Sequence, residues 1–230
     1  MRQTHHSPVN AGAIGNYKFI AIALVLTVAY WLLGTSRDGA AQTPPTSSQA
    51  TEQRIALVIG NSDYQHAPLK NPLNDATDIA QTLRELGFKV TLRTNASQRQ
   101  MKDAIRDFGV ELTRGGTGLF YFAGHGVQYR GRNFLIPVNA HIERESHIED
   151  EAVDAAFVLA QMEEARNRVN IVILDACRNN PYVRGFRSVT RGLAQMDAAR
   201  GTLIAFATAP GSVALDGDGR NGVYTKHLLR

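Results

Sequence analysis

Three stretches of this chain are apolar almost without interruption and too short to be buried helices. They are RIALVIG (Arg54 to Gly60), GLFYFAG (Gly118 to Gly124) and VNIVIL (Val169 to Leu174). A strand that is apolar on both sides must be covered on both faces, a condition met in parallel sheets flanked by helices. The intervening segments supply the cover. From Leu73 to Leu86, the residues Leu73, Ala76, Ile79, Ala80, Leu83 and Leu86 fall on one helical face, with Gly87 as the stop. FKVTLRT (Phe88 to Thr94) alternates as a strand does, and Ser97 with Gln100 forms a capping pair for a helix ending near Gly115. A small hairpin is expected over Val127 to Ile136, a helix over Val153 to Arg166 and another strand over Thr202 to Ala207. The order βαβαβ…αβ…β predicts an α/β fold, a mostly parallel central sheet with helices on both faces in three α/β/α layers.

The segment before Arg54 has a different character. Residues 1–18 are polar, and residues 19–33, FIAIALVLTVAYWLL, carry no charge. At ~1.5 Å per residue this run covers about 22 Å, short of a bilayer core of roughly 30 Å unless the next three residues are included. Residues 19–36 are therefore expected to be a signal peptide or a membrane anchor, and the small residues Gly39, Ala40 and Ala41 keep cleavage open as an alternative to retention. Positive charge before the run places the remainder outside the cytoplasm, in the periplasm or cell envelope, anchored or secreted. Residues 37–53 contain Pro44 and Pro45 without periodicity and read as a flexible linker, so the working domain spans 54–230. The formal net charge is +4, but beyond residue 41 the chain has 22 basic and 20 acidic residues, a balance that gives no reason to expect nucleic acid as a partner. A single cysteine excludes an internal disulfide framework and a cysteine-rich zinc site.

In open parallel sheets the chemistry gathers beyond the carboxyl ends of the strands. Here one buried strand runs directly into His125-Gly126, and another runs through Asp175-Ala176 into Cys177. If the two strands are neighbours, an imidazole and the only thiol leave the sheet at the same edge. Those groups are what a cysteine peptidase requires: a thiolate nucleophile, a base that can become an acid, and backbone N–H groups for the oxyanion, with Gly126 and Cys177 as candidate donors. No third member of a triad is evident in the sequence. The other histidines, His5, His6, His66, His141, His147 and His227, show no ligand spacing.

Strand-His-Gly followed 52 residues later by Asp-Ala-Cys-Arg resembles the caspase and metacaspase superfamily of peptidases. Asp175 and Asn179 stand where caspases have glutamine and glycine, a departure that points to the bacterial metacaspase-like branch. The blocks RIALVIGNSDY, LNDA (Leu73 to Ala76), YFAGHG, NFLIPVNA (Asn133 to Ala140), ILDACRNNP and ATAPGSVALDGDGRNGVYT carry the same resemblance in order along about 175 residues. The resemblance implies a caspase-like fold, His125 and Cys177 as catalytic dyad, and cleavage after Arg or Lys with Asp75 and Asp175 as an acidic floor for the basic side chain. Two carboxylates can pair a guanidinium bidentately, which gives that preference a physical basis. It implies polypeptide substrates, and a monomer more than a sheet-edge dimer. It also implies further helix beyond the YTKHLL segment, so the domain is expected to be shortened at its C-terminal end.

Several patterns are weaker. Gly217, Gly219 and Gly222 satisfy G-x-G-x-x-G but follow no strand directly and have no acidic residue some 20 positions on, so a turn-rich loop is expected rather than a nucleotide site. Asp216 and Asp218 imitate the start of a calcium loop that lacks its remaining ligands. The acidic cluster Glu143, Glu145, Glu149, Asp150 and Glu151 reads as a solvated face; no metal or cofactor is assigned, although some metacaspases need calcium. Arg178, Arg184, Arg187, Arg191 and Arg200 lie in a loop that is open to self-cleavage if the chain cuts after basic residues, and otherwise is a solvated basic loop. The alternative to an enzyme is a membrane-tethered, non-catalytic module that binds proteins through the same cleft.

Overall fold

The computed structural model describes residues 53–113, 116–176, 189–190, 192–208 and 219–230. The segments 1–18, 19–36 and 37–52 lie outside the described residues, as do Cys177, Asp216, Gly217, Asp218 and, of the loop arginines, Arg178, Arg184, Arg187 and Arg191. Among the described residues no helix is long and apolar enough to cross a membrane.

Five strands form the central sheet: β1 (Arg54–Gly60), β2 (Lys89–Thr94), β3 (Thr117–Gly124), β7 (Val169–Ala176) and β9 (Thr202–Phe206), in the order β2-β1-β3-β7-β9 with every pair parallel. Because strand side chains alternate between faces, the apolar runs feed two cores at once. Leu57, Ile59, Phe120, Phe122, Val172 and Leu174 point into one layer, against α2 (Gln98–Leu112) and α4 (Ala155–Glu164). Ala56, Val58, Leu119, Tyr121, Ala123 and Ile173 point into the other, against α1 (Pro72–Glu85) and α5 (Val223–Leu228). Covering both faces of β3 removes almost all of Phe120, Tyr121 and Phe122 from water, worth about 1.5–3 kcal/mol for each large apolar side chain before entropy is counted.

Local chemistry sets the helix ends. Ser97 accepts from Gln100 N and the Gln100 side chain accepts from Ser97 N, so the expected capping pair is a reciprocal box opening α2. Leu86 leaves the helical face: α1 ends at Glu85, and Leu86 is 47% exposed at the cap. The helix expected from Val153 begins two residues later. Val153–Asp154 is instead a short strand, β6, and the Asp154 side chain accepts from Ala156 N to cap α4, because a carboxylate at that position satisfies a helical N–H that has no partner within the helix.

A second, antiparallel sheet has the order β6-β5-β4-β8, from β4 (Gly126–Tyr129), β5 (Arg132–Leu135) and β8 (Val189–Thr190) beside β6. The expected hairpin is β4 and β5, turning on Arg130 and Gly131 at φ of 50° and 76°. Between the strands and α4, α3 (His147–Glu151) buries Ile148 and leaves its acidic residues outward, with Glu149 3.6 Å from Arg132.

Candidate active site

β3 and β7 are adjacent and parallel, and their registered pairs end with Gly124 opposite Ala176. The next residues along the two chains are His125 and Cys177. The sheet thus makes neighbours of the two strands that precede His125 and Cys177 in the chain; Cys177 itself lies outside the described residues. Gly126 lies against the same edge: a Cβ built on it would stand 3.0 Å from the Cβ of Ala176 and 3.3 Å from Leu193, a contact tighter than side chains ordinarily make.

His125 is buried and held from several sides. Its backbone N–H donates to the Tyr64 hydroxyl at 2.9 Å, its carbonyl accepts from Ile136 N at 2.9 Å, and the Tyr64 ring lies 4.4 Å from the imidazole, tilted by 52°. Nε2 lies 2.7 Å from the Ala67 carbonyl oxygen. A carbonyl can only accept, so Nε2 carries the hydrogen, and the hydrogen-bond network places the basic lone pair of the neutral ring on Nδ1. Ala67 itself is at φ 54°, a left-handed conformation that side-chain-bearing residues adopt at a cost, here on the residue that orients the imidazole. A backbone carbonyl therefore occupies the place where a triad would have its third side chain. It has no residue-type signature, which is why the sequence showed no third member.

The two aspartates lie in one layer. Asp75 is in the first turn of α1, on its buried face, and Asp175 is on β7, where the alternation carries it to the α1 side of the sheet. Both are buried. Asp75 Oδ1 accepts from Gly222 N at 2.9 Å, and Asp175 Oδ2 accepts from Thr225 Oγ1 at 2.7 Å, with Tyr121 and Thr225 sharing a hydrogen bond of 2.6 Å. A single short segment, Gly222 to Thr225, thus binds both carboxylates. Desolvation, reinforced by the nearby Asp175 charge, pushes the phenol of Tyr224 up to about 12.

One turn beyond Asp75, Asp78 receives Arg220 through Nε and Nη2 at 2.9 and 2.8 Å and Asn221 Nδ2 at 2.9 Å. The Arg220 hydrogen bond holds the Asp78 carboxyl below its ordinary range against the opposing effect of burial, and the pairing raises Arg220 in turn. The sequence reading missed Tyr64, Ala67, Thr225 and this ion pair. Tyr64, Thr225 and Arg220 lay within blocks already singled out, while Ala67 and Asp78 did not.

Gly219 begins this anchored stretch, in a bend leading to α5. Among the described residues, no three His, Cys, Asp or Glu side chains converge as a metal site; Glu143 lies 3.0 Å from His141, and Glu151 accepts from His141 N at 3.3 Å.

A family model for peptidase C14, described as the caspase domain, matches residues 53–230. The chain belongs to the caspase-domain family of cysteine peptidases. It is similar to human mucosa-associated lymphoid tissue lymphoma translocation protein 1, 29% identical over 194 residues that cover 80% of this chain and 23% of the human protein. It is also similar to caspase a of Danio rerio, 25% identical over 160 residues (66% of this chain, 40% of that protein), and to cell death protein 3 of Caenorhabditis remanei, 25% identical over 138 residues (60% and 25%). The chain therefore spans less than a quarter of the length of the human relative and of its mouse homologue. The parallel sheet with helices on both faces is the fold expected of a caspase domain.

Proposed function

We propose that this caspase domain is a metacaspase-like endopeptidase that hydrolyses peptide bonds after Arg or Lys. The observation that carries the reading is the register of β3 and β7, whose last pair, Gly124 and Ala176, immediately precedes His125 and Cys177. Nδ1 of His125 takes the thiol proton, and the thiolate of Cys177 attacks the substrate carbonyl. The negative oxygen that forms is met by the N–H groups of Gly126 and Cys177. As the C–N bond breaks, His125 returns the proton to the departing amine, leaving a thioester. Water then attacks with its proton passing to His125, and the C–S bond breaks to free the acid and the thiol. Nε2–H on the Ala67 carbonyl holds the ring in the tautomer this sequence of transfers needs.

Basic preference is supported by two buried carboxylates, Asp75 and Asp175, in one layer of the sheet. A guanidinium or ammonium reaching them gains charge-assisted hydrogen bonds in a dry setting. The uncharged run in residues 19–36, preceded by basic residues, supports placement in the cell envelope of a bacterium, through an anchor or after export.

The test uses the full chain, purified in detergent under reducing conditions, with peptides carrying Arg, Lys or Asp at P1, with and without calcium. Hydrolysis after Arg or Lys that disappears in Cys177→Ala and falls in Asp75→Asn is expected. Equal hydrolysis in wild type and Cys177→Ala would sink the mechanism, and preference for Asp would sink the pocket.

A further inference from the structure

Tyr64 is placed to do more than fill space. Its hydroxyl accepts the N–H of His125 at 2.9 Å and donates to the carbonyl of Ile136 at 3.1 Å, and the N–H of Ile136 returns to the carbonyl of His125 at 2.9 Å. The three residues close a ring of hydrogen bonds that fixes both peptide groups flanking the His125 Cα. The Ile136 carbonyl is anchored independently by Asn61 Nδ2 at 3.2 Å. Two consequences follow. Fixing the His125 N–H and C=O sets the direction in which the imidazole leaves the backbone, and the ring contact at 4.4 Å limits its rotation. The peptide joining His125 to Gly126 is planar and trans, so holding its C=O toward Ile136 on the β5 side turns the Gly126 N–H the opposite way. One hydroxyl thereby governs the base and an oxyanion donor together.

The strand exit is built around that oxygen. A Cβ on Gly124 would lie 2.6 Å from the Tyr64 hydroxyl and 2.9 Å from the Phe122 ring, so glycine there keeps the phenol in contact with the His125 N–H. We propose that Tyr64 is a positioning residue for His125 and for the Gly126 amide. The inference rests on the Cys177 and His125 chemistry proposed above.

Because Cys177 is the only cysteine, its alkylation by iodoacetamide reads the imidazole's influence on the thiol without requiring turnover. The full chain is alkylated across pH 5 to 9 as wild type, Tyr64→Phe and His125→Ala, and kcat and KM are measured on a peptide with Arg at P1. Wild type is expected to react at lower pH than His125→Ala, which lacks the imidazole that takes the thiol proton. Tyr64→Phe is expected to move toward His125→Ala, with kcat lowered about 10- to 100-fold and KM within about two-fold, since a small misplacement of catalytic groups costs that much. A purely structural role would lower the melting temperature and leave the alkylation profile in place. Should Tyr64→Phe fail to fold, Gly124→Ala displaces the same hydroxyl and is expected to give the same shift. If wild type and His125→Ala differ while the Tyr64 or Gly124 variant overlays wild type, the positioning role is overturned alone. If wild type and His125→Ala coincide, the imidazole does not act on the thiol, and the enzymatic reading falls with the inference.

Discussion

The hydroxyl of Thr225 donates to the carboxylate of Asp175 at 2.7 Å, joining the first turn of α5 to the last residues of β7. Both residues are buried, and Tyr121 is 2.6 Å from the same hydroxyl. Thr225→Val keeps the shape and deletes the group that serves both partners. The expected loss is about 1–3 kcal/mol, the usual range for a buried polar group deprived of its partner. Urea unfolding should show a lower midpoint for Thr225→Val with an unchanged slope, and Thr225→Ser should lie near wild type. A midpoint for valine equal to wild type would show that this contact does not secure α5.

Gly126 leaves only a tight space for a methyl group. In Gly126→Ala the new carbon would meet the Cβ of Ala176 at 3.0 Å and Leu193 at 3.3 Å, so one of the two strands must shift by a few tenths of an ångström. If its N–H is an oxyanion donor, kcat should drop by about 10- to 100-fold with little change in KM. Steady-state kinetics decide the matter; a rise in KM alone would place Gly126 in substrate binding.

Ala67 tests the orientation of the imidazole. At φ 54° glycine is accommodated without strain, so Ala67→Gly should hold activity within about three-fold. A β-branched side chain resists that conformation, so Ala67→Val should rotate the carbonyl away from Nε2 and lower kcat by about ten-fold. Equal rates for the two variants would mean that the Ala67 carbonyl does not orient His125.

The Asp78–Arg220 pair contributes to the acid side of the stability profile. The folded carboxyl titrates below its unfolded value, chiefly through the Arg220 hydrogen bond. Its contribution is therefore present above the unfolded value of about 4 and is lost as pH falls through the lower folded one. Urea unfolding of wild type and Asp78→Asn should differ at pH 6, the difference should narrow as pH falls below about 4, and it should shrink in high salt because the pair is partly exposed. A gap that does not narrow at all as pH falls below about 4 would assign the effect to packing.

Tyr224 gives the alkaline counterpart. Its phenol titrates at about 12, above the ordinary value of 10, because burial and the Asp175 charge disfavour the phenolate. The neutral form is favoured by folding, so this contribution is intact below pH 10 and is lost as pH rises toward 12. Absorbance at 295 nm should show a late-ionising phenol in the native protein that is missing from Tyr224→Phe. An identical titration of the two proteins would place Tyr224 in a wetter site.

The sheet was legible because its signals are local. Leu57, Phe120 and Val172 sit in uninterrupted apolar runs that only a doubly covered strand satisfies, and Ser97 with Gln100 marks a helix start within four residues. The position of His125 at a strand exit was legible for the same reason, since it follows such a run directly, while Cys177 lies outside the described residues. Asp75 entered only through the resemblance carried by the LNDA block, and its burial was not visible.

By itself, then, the sequence determined the α/β alternation, which strands must lie inside, and which residues leave them at the carboxyl edge, since these depend on periodicity over a few residues. Tertiary structure decided what grips those residues. Tyr64 reaches His125 across 61 positions, the Ala67 carbonyl reaches its ring across 58, Gly222 reaches Asp75 across 147 and Thr225 reaches Asp175 across 50. Two of these four groups are backbone, identical in every residue type that could stand there, and the other two acquire their partners only when the sheet order brings distant loops to one edge. Hydrogen bonds of that kind leave no periodic trace in a chain, so they appear only once it has folded.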